Sequence, residues 1–360
     1  MKKLLNEHKK TAWLLFCLLL TLGALICLWR VYGLGHGLPA QLAAERWQGE
    51  GETRFAQVSC FVPVDEALSQ NQIYAFRGKM MDELSKAALD ADGTDGLWRD
   101  AWSAVGKLTV SSDRASGDAS VIAVGGDFFS FHPLRLLGGS YLREDDLMHD
   151  RVLLDLELAW LLFGGTDLQG MEVKINDRRF IVAGVVERED DSASLAAYTA
   201  GQGLYMSYDA YAELLGTENI TAYEYILPEP VDGFARGVAE EYFPIGRGET
   251  LQNTGRYSLG RLLKLLPKMD ERAMQGMGMI YPYWENAARV TENRCARLLL
   301  TALLLSVLPL ISLIVWLWRL GAKGKEAFSE RIFPRFRESV EEAIRRPARR
   351  RWEKKHGKSE

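Results

Sequence analysis

Two long apolar runs without a charge constrain this chain more than anything else in it. Thr11–Trp29 reads TAWLLFCLLLTLGALICLW, 19 residues, and Leu298–Trp318 reads LLLTALLLSVLPLISLIVWLW, 21 residues. A helix needs about 20 apolar residues to cross ~30 Å of hydrocarbon, so each run is long enough to span a membrane. Trp13 and Trp29 stand 16 residues apart. That is about 24 Å along a helix, which suits rings seated at two interfaces. A cleaved signal peptide is the alternative for the first run. Its basic start fits, and Ala40–Ala44 (AQLAA) offers a loose cleavage site. Its apolar core, however, exceeds the ~7–15 residues usual for a signal peptide.

Charge sets the expected orientation. Lys2, Lys3, Lys9 and Lys10 precede the first run against Glu7 alone, and residues 319–360 hold 14 basic and 7 acidic side chains. Of the 44 basic and 48 acidic residues, the two ends with Arg30 take 19 and 8, leaving 25 basic and 40 acidic in 31–318, net −15. Basic flanks stay in the cytoplasm. Both termini are therefore expected to be cytoplasmic, with residues about 32–297 extracytoplasmic, in a two-pass protein of the cell membrane. Arg289, Arg294 and Arg297 work slightly against this order. The expected organisation is an N-terminus over 1–10, a first transmembrane helix over 11–31, and an α+β core domain over 45–284. A stalk helix over 285–297, a second transmembrane helix over 298–318 and a basic tail over 319–360 follow.

The central stretch is mixed. RFAQVSCFVP (54–63) reads as a strand, and Asp65–Leu89 as a helix burying Ile73, Phe76, Met80, Leu84 and Ala87 at helical spacing. Residues 107–113 and 119–127 read as strands joined by a polar turn. RVLLDLELAWLLFGG (151–165) starts as a strand and ends as a short helix stopped by Gly164 and Gly165. GMEVKINDRRFIVAGVV (170–186) reads as a hairpin. Met171, Val173 and Ile175 face one way, Asn176-Asp177 makes the turn, and Phe180–Val186, apolar on both faces, forms a central strand. A strand at 203–207, a helix near 208–215, a strand at 220–227 and a helix near 232–243 complete the pattern. The Asp/Ser/Ala/Gly-rich 188–203 is expected to be an exposed loop. From Glu285 the chain runs into the second apolar run with no helix breaker, as a stalk would.

Few residues suggest chemistry. There is no G-x-x-x-x-G-K-[ST] loop, so ATP hydrolysis is not expected of this chain, and H-E-x-x-H and G-x-S-x-G are absent as well. No catalytic, cofactor-binding or metal residue is assigned, and no cofactor is expected. His149 beside Asp145, Asp146 and Asp150, with His132 upstream, is the best metal candidate, but it lacks tight ligand spacing and reads better as a solvated turn. Gly33-Leu34-Gly35-His36-Gly37 follows a span rather than a strand, so a membrane-exit linker is expected there instead of a phosphate cradle. The acidic middle disfavours nucleic acid. Cys17 and Cys27 lie too far apart on one helix to pair, and Cys60 and Cys295 read as buried thiols.

Three blocks together carry a resemblance. The first is Asp127-Phe128-Phe129, Pro133-Leu134, Leu137-Gly138-Gly139-Ser140-Tyr141-Leu142 and the acidic Glu144-Asp145-Asp146. The second is Val152-Leu153-Leu154-Asp155, Leu158-Ala159 and Leu162-Phe163-Gly164. The third is Asp167, Gly170, the hairpin and Phe180–Val186. Their order and spacing resemble the periplasmic core domain of the MacB-like ABC transporter permeases, the group that includes FtsX-like permeases. The resemblance implies an α+β extracytoplasmic domain inserted between two transmembrane helices. It implies a partner ABC ATPase on the cytoplasmic face, whose motion is relayed through spans and stalks. It also gives Gly138, Gly139, Gly164, Gly170 and Gly184 roles in turns, helix ends or close approach, and Phe128, Phe129 and Phe163 roles in the core. Members ordinarily carry two more spans, whereas 42 residues follow the second run here. A permease-type subunit beside a companion four-span permease, in a homodimer or heterodimer, is therefore expected. In the tail, Phe336, Val340 and Ile344 keep helical spacing among basic residues, which suits docking to an ATPase or to anionic lipid. The alternatives are an extracytoplasmic binding or sensing protein that does not transport, and a membrane-anchored hydrolase, for which no constellation exists.

Overall fold

A computed structural model describes residues 2–89, 97–144, 146, 148–198, 202–271, 275, 276, 279–327 and 340. The chain divides into two compact units, one of Met1–Cys27 with Thr301–Glu360 and one of Leu28–Leu300.

The terminal unit is built from parts of two long helices, α1 (Lys2–Gly35) and α10 (Tyr283–Ala327). Both are long and apolar enough to cross a membrane. Leu14, Leu18, Leu22 and Leu25 are exposed, while Ala24 is buried. A Cβ added at Gly23 would lie 3.3 Å from Leu305, the close approach that small residues permit between helices in lipid. Trp13 Nε1 donates to Ser312 Oγ at 3.1 Å. Pro309 sits inside α10 without ending it. Helix α1 runs through Gly33 to Gly35, so those glycines belong to the helix rather than to a linker.

The central unit begins with a short helix, α2 (Ala43–Gln48). Strand β1 (Phe55–Phe61) matches the apolar segment at 54–63. Helix α3 (Gln70–Lys86) starts later than the apolar spacing suggests, because Ser69 and Gln72 close a capping box there. Its Ile73, Phe76, Met80 and Leu84 are buried, whereas Ala87 is the exposed C-cap. Strand β2 (Arg99–Ser111) pairs with β3 (Ser116–Gly126), followed by α4 (Phe128–Phe131), β4 (Arg135–Gly139), β5 (Arg151–Asp155) and α5 (Leu156–Phe163). Asp155 caps α5, and Gly164 ends it at φ +76°, a left-handed C-cap.

The hairpin forms at the expected residues as β6 (Glu172–Ile175) and β7 (Arg178–Glu187). Asn176 and Asp177 have φ of +49° and +63°, the paired positive values that a two-residue hairpin turn needs. Val173 and Ile175 are buried, but Met171 precedes the strand and is exposed. Helix α6 (Ser192–Ala197) occupies the stretch expected to be loop, capped by Asp191. Strand β8 (Gln202–Ser207), helix α7 (Tyr208–Leu215), strand β9 (Ala222–Pro228) and helix α8 (Phe234–Tyr242) agree with the sequence pattern. Strand β10 (Glu249–Gln252) and helix α9 (Leu259–Leu265) complete the unit before α10.

Among the described residues, one sheet runs β10-β1-β9-β2-β3-β8-β5-β7-β4. Strand β6 pairs with both β7 and the end of β2, at Val110↔Ile175. These pairings close β2-β3-β8-β5-β7-β6 into a ring. Strand β7 is therefore flanked on both sides, by β5 and by β6 or β4, though it stands next to the end of the strand order. Its two faces serve different cores. Val182 and Val185 join one cluster with Phe76, Val152 and Tyr223. Ala183 and Val186 join a second with Phe128, Leu153, Tyr283 and Trp284. A strand buried on both faces reads as an unbroken apolar run, which is why Phe180–Val186 carries one.

Candidate functional site

The second core is where the first turns of α10 meet the sheet. Tyr283, Trp284, Ala287 and Ala288 are buried there against Phe128, Phe131 and Val186. Small alanines one turn above two large aromatics let the helix lie close to the strands. The Trp284 ring lies 5.5 Å from Phe128 and 4.2 Å from His132.

The next face of α10 carries charge. Glu285, Arg289 and Glu292 recur at i, i+4 and i+7, and all three are buried. Their partner is Arg256, in the loop after β10. Arg256 Nη1 and Nη2 donate to the two oxygens of Glu285 at 2.7 and 2.8 Å. Arg256 Nη2 and Nε reach Glu292 at 3.0 and 2.9 Å. Burial works against the Arg256 charge, but Glu285 and Glu292 overcome it and hold the guanidinium protonated well above its ordinary range. Arg289 donates to Glu285 at 2.7 Å and to Glu249 on β10 at 2.5 Å. One arginine thus grips a helix at its first and third turns, and a second ties that helix to the edge strand.

The network continues inward. Arg256 Nη1 donates to Asn253 Oδ1 at 3.3 Å and to Gln41 Oε1 at 3.2 Å. Asn253 Nδ2 donates to Ser59 Oγ at 2.7 Å, and Ser59 Oγ donates to Glu224 Oε1 at 2.6 Å. Glu224 Oε2 lies 2.5 Å from His132 Nε2. A connected series of buried polar groups therefore runs from α10 through the β10 loop and β1 to β9 and α4. Such groups are costly to leave unpaired in a low dielectric, so the arrangement resists partial opening.

A second tether starts from the motif residue Asp155. Its oxygens accept from Leu158 N at 2.7 Å and Gly203 N at 2.6 Å, and Arg188 pairs with it at 2.7 Å. Burial raises the Asp155 carboxyl, partly offset by Arg188. The Arg188 guanidinium lies 4.9 Å from the Tyr198 ring, which stacks on Tyr283 at 4.3 Å. Tyr283 also donates to Glu189 at 3.1 Å.

The other motif residues fall into place separately. Phe128 is fully buried, while Phe129 stacks on Tyr141 and Phe163 packs at the edge of the main core. Gly139, at φ +85°, and Gly184 face each other across the β4–β7 pair, where a Cβ would fall 2.0 Å from Ala183 O or 2.4 Å from Gly138 O. Gly138 sits at the β4 bulge, and Gly170, at φ +85°, donates its N–H to Val182 O. Asp127 pairs with Arg99 at 3.1 Å in a cleft of about 180 Å³ that Arg77, Trp98, Asp100 and Glu144 also line. Arg77 makes two 2.7 Å bonds to Asp100 there.

The metal candidates part company. His132 joins Glu224, whereas His149 Nδ1 faces Ser207 at 3.1 Å, and no group of three metal-ligating side chains occurs among the described residues. Cys60 and Cys295 are buried and free. Of the tail residues, Phe336 and Ile344 lie outside the described residues, and Val340 is exposed. The Arg256 network is not legible as motif. Only the i, i+4, i+7 spacing of Glu285, Arg289 and Glu292 signals it.

Residues 66–233 match the family model described as MacB-like periplasmic core domain. That stretch runs from the turn before α3 to the residue before α8, so it includes His132, Asp155 and Glu224 but neither Arg256 nor α10. The extracellular domain of the noncanonic ABC-type transporter YknZ from Gram-positive bacteria is 15% identical, with a TM-score of 0.37, over 52% of this chain and 92% of that one. The periplasmic region of MacB from Actinobacillus actinomycetemcomitans is 14% identical, with a TM-score of 0.39, over 61% of this chain and 94% of that one. No curated protein matches the chain.

Proposed function

We propose that this chain, a MacB-like periplasmic core domain set between two apolar helices, is a membrane subunit of an ABC assembly. In it, motion passes between the membrane helices and the central domain through the foot of α10. The observation that carries this is the grip of Arg256 on Glu285 and Glu292, one and three turns into the helix. A helix held at its first and third turns by a buried guanidinium cannot slide or tilt without either moving the β10 loop or stranding a buried charge. Stranding is the costlier course, so the domain follows the helix.

The remaining parts of the proposal follow from charge and motif. Both termini are cytoplasmic and the net-negative centre is outside, since the basic residues gather at the ends. The energy comes from a partner ATPase, because the chain carries no phosphate-binding loop. A companion four-span permease completes the membrane part, in a homodimer or heterodimer, and the basic tail around Val340 is the candidate dock. A binding or sensing role without transport is the second reading, and the cleft beside Arg77 and Asp127 favours it. Tagged chain captured from native membranes in mild detergent, crosslinked and analysed by mass spectrometry, separates the two. Recovery of an ABC ATPase with a four-span permease supports the transporter subunit. Recovery of neither, beside a signalling or cell-wall protein, overturns it in favour of the sensor.

A further inference from the structure

Helix α9 is apolar on more of its surface than the protein covers. Leu262 is buried in a small cluster with Val31, Cys295 and Leu299, flanked by Leu34, Tyr257 and Leu298. Val31 and Leu34 come two and five residues after the first apolar run ends at Trp29, and Leu298 and Leu299 open the second. Helix α9 is therefore seated where both apolar runs enter the central unit. Tyr257, just ahead of it, packs so closely on α1 that a Cβ at Gly35 would lie 2.9 Å away. Arg261 Nη1 fixes the helix further, donating to the carbonyls of Gln252 and Thr254 at 2.9 and 3.1 Å.

The uncovered part has a definite character. Leu259 and Leu263, four residues apart and so on one face, are 54% and 46% exposed. Lys264 and Lys268 are exposed beside them, and Ser258–Met269 contains no acidic residue. Exposed leucines in a row are costly in water. Paired with lysines at the exit of two spans, they have the chemistry of an interfacial helix. Trp29 and Arg30 close the first apolar run and Arg297 immediately precedes the second, positions at which aromatic and basic side chains meet headgroups.

We propose that α9 lies in the membrane–water interface beside the two spans, with Leu259 and Leu263 at the acyl boundary and Lys264 and Lys268 against lipid phosphates. The domain would then rest on the bilayer at a fixed point next to the α10 foot. The proposal depends on α1 and α10 being spans, and its test distinguishes the two.

Cys17 and Cys27 are partly accessible, whereas Cys60 and Cys295 are buried, so C17A/C27A leaves no readily labelled thiol. In that background, L263C, L308C and K174C would each carry a polarity-sensitive fluorophore. The full chain would be placed in nanodiscs of phosphatidylcholine and phosphatidylglycerol containing lipids with a nitroxide near the headgroup or deep in the acyl chain. The proposal expects loss of fluorescence at 263 with the headgroup-proximal nitroxide, loss at 308 with the deep one, and neither at 174 on the hairpin. Quenching at 308 with a water-like, unquenched label at 263 overturns it. So does a 263 label that is shielded yet unquenched, which would mean that another protein or a second copy covers α9. An unquenched label at 308 overturns the span assignment itself.

Discussion

Arg256 and Glu285 form a two-point ion pair, at 2.7 and 2.8 Å, between the loop after β10 and the first turn of α10. Both side chains are withdrawn from solvent. Taking such a pair out of water costs about what its attraction returns, so its net contribution to stability is small. Breaking it is another matter. Removing either one leaves the rest of this buried cluster, Arg289 and Glu292 included, with its charges unbalanced, and this gives the helix foot its stiffness.

Arg256→Ala is expected to lower the unfolding free energy by roughly 3–5 kcal/mol, the usual cost of stranding a buried partner. Here Glu285 keeps Arg289, but both it and Glu292 lose the buried guanidinium that they share. Denaturant titration of the full chain in detergent measures it. A loss under about 1 kcal/mol would mean water already reaches the site.

Two glycines separate steric clash from backbone strain. Gly164→Ala puts a side chain into open space at φ +76°, so about 1–2 kcal/mol of left-handed strain is expected. Gly139→Ala adds to similar strain a Cβ only 2.0 Å from Ala183 O, which forces β4 away from β7. Parallel unfolding curves should show the second variant clearly weaker. Equal losses would contradict the tight β4–β7 approach.

Val182→Asp should destabilise the central unit by several kcal/mol. Val182 is fully buried opposite Val152 on β5, and its amide and carbonyl are occupied by Met171 and Gly170. An aspartate there has no partner and no water. An unchanged melting curve would refute the two-sided burial of β7.

The cleft predicts a pH dependence. Burial raises the carboxyls of Asp127 and Glu144, against the pull of Arg99 and Arg77. In the window just above the ordinary carboxylate value of ~4, the folded chain then binds more protons than the unfolded one. These two groups therefore make stability fall as pH rises through that window. Asp127→Asn and Glu144→Gln together should flatten this part of the stability–pH curve. A slope unchanged by both substitutions would contradict the shifts.

What could be read without coordinates follows from how local each signal is. The hairpin was legible because alternation, a two-residue Asn-Asp turn and an apolar run all fall within residues 170–186. Helix α5 was legible because Asp155 and Gly164 punctuate both its ends. Helix α6 was not, since its buried face consists of Ala193, Ser194 and Ala197, which carry little apolar periodicity. The closure of the strand ring rests on a two-residue pairing of β2 with β6, too short to leave a pattern. Glu285, Arg289 and Glu292 do show helical spacing, but charges at that spacing usually mark a solvated face. Their partner lies 29 residues upstream of Glu285, in a loop whose path only the fold defines.

The central claim is that α10 and the domain move together through Arg256. Hydrogen–deuterium exchange on the captured assembly, with and without ATP, tests it most directly. Concerted ATP-dependent changes at 283–292 and 253–257, lost from 253–257 in Arg256→Ala, are the expected result. A response confined to α10 in the unmodified chain, or no response to ATP in either segment, would contradict the relay.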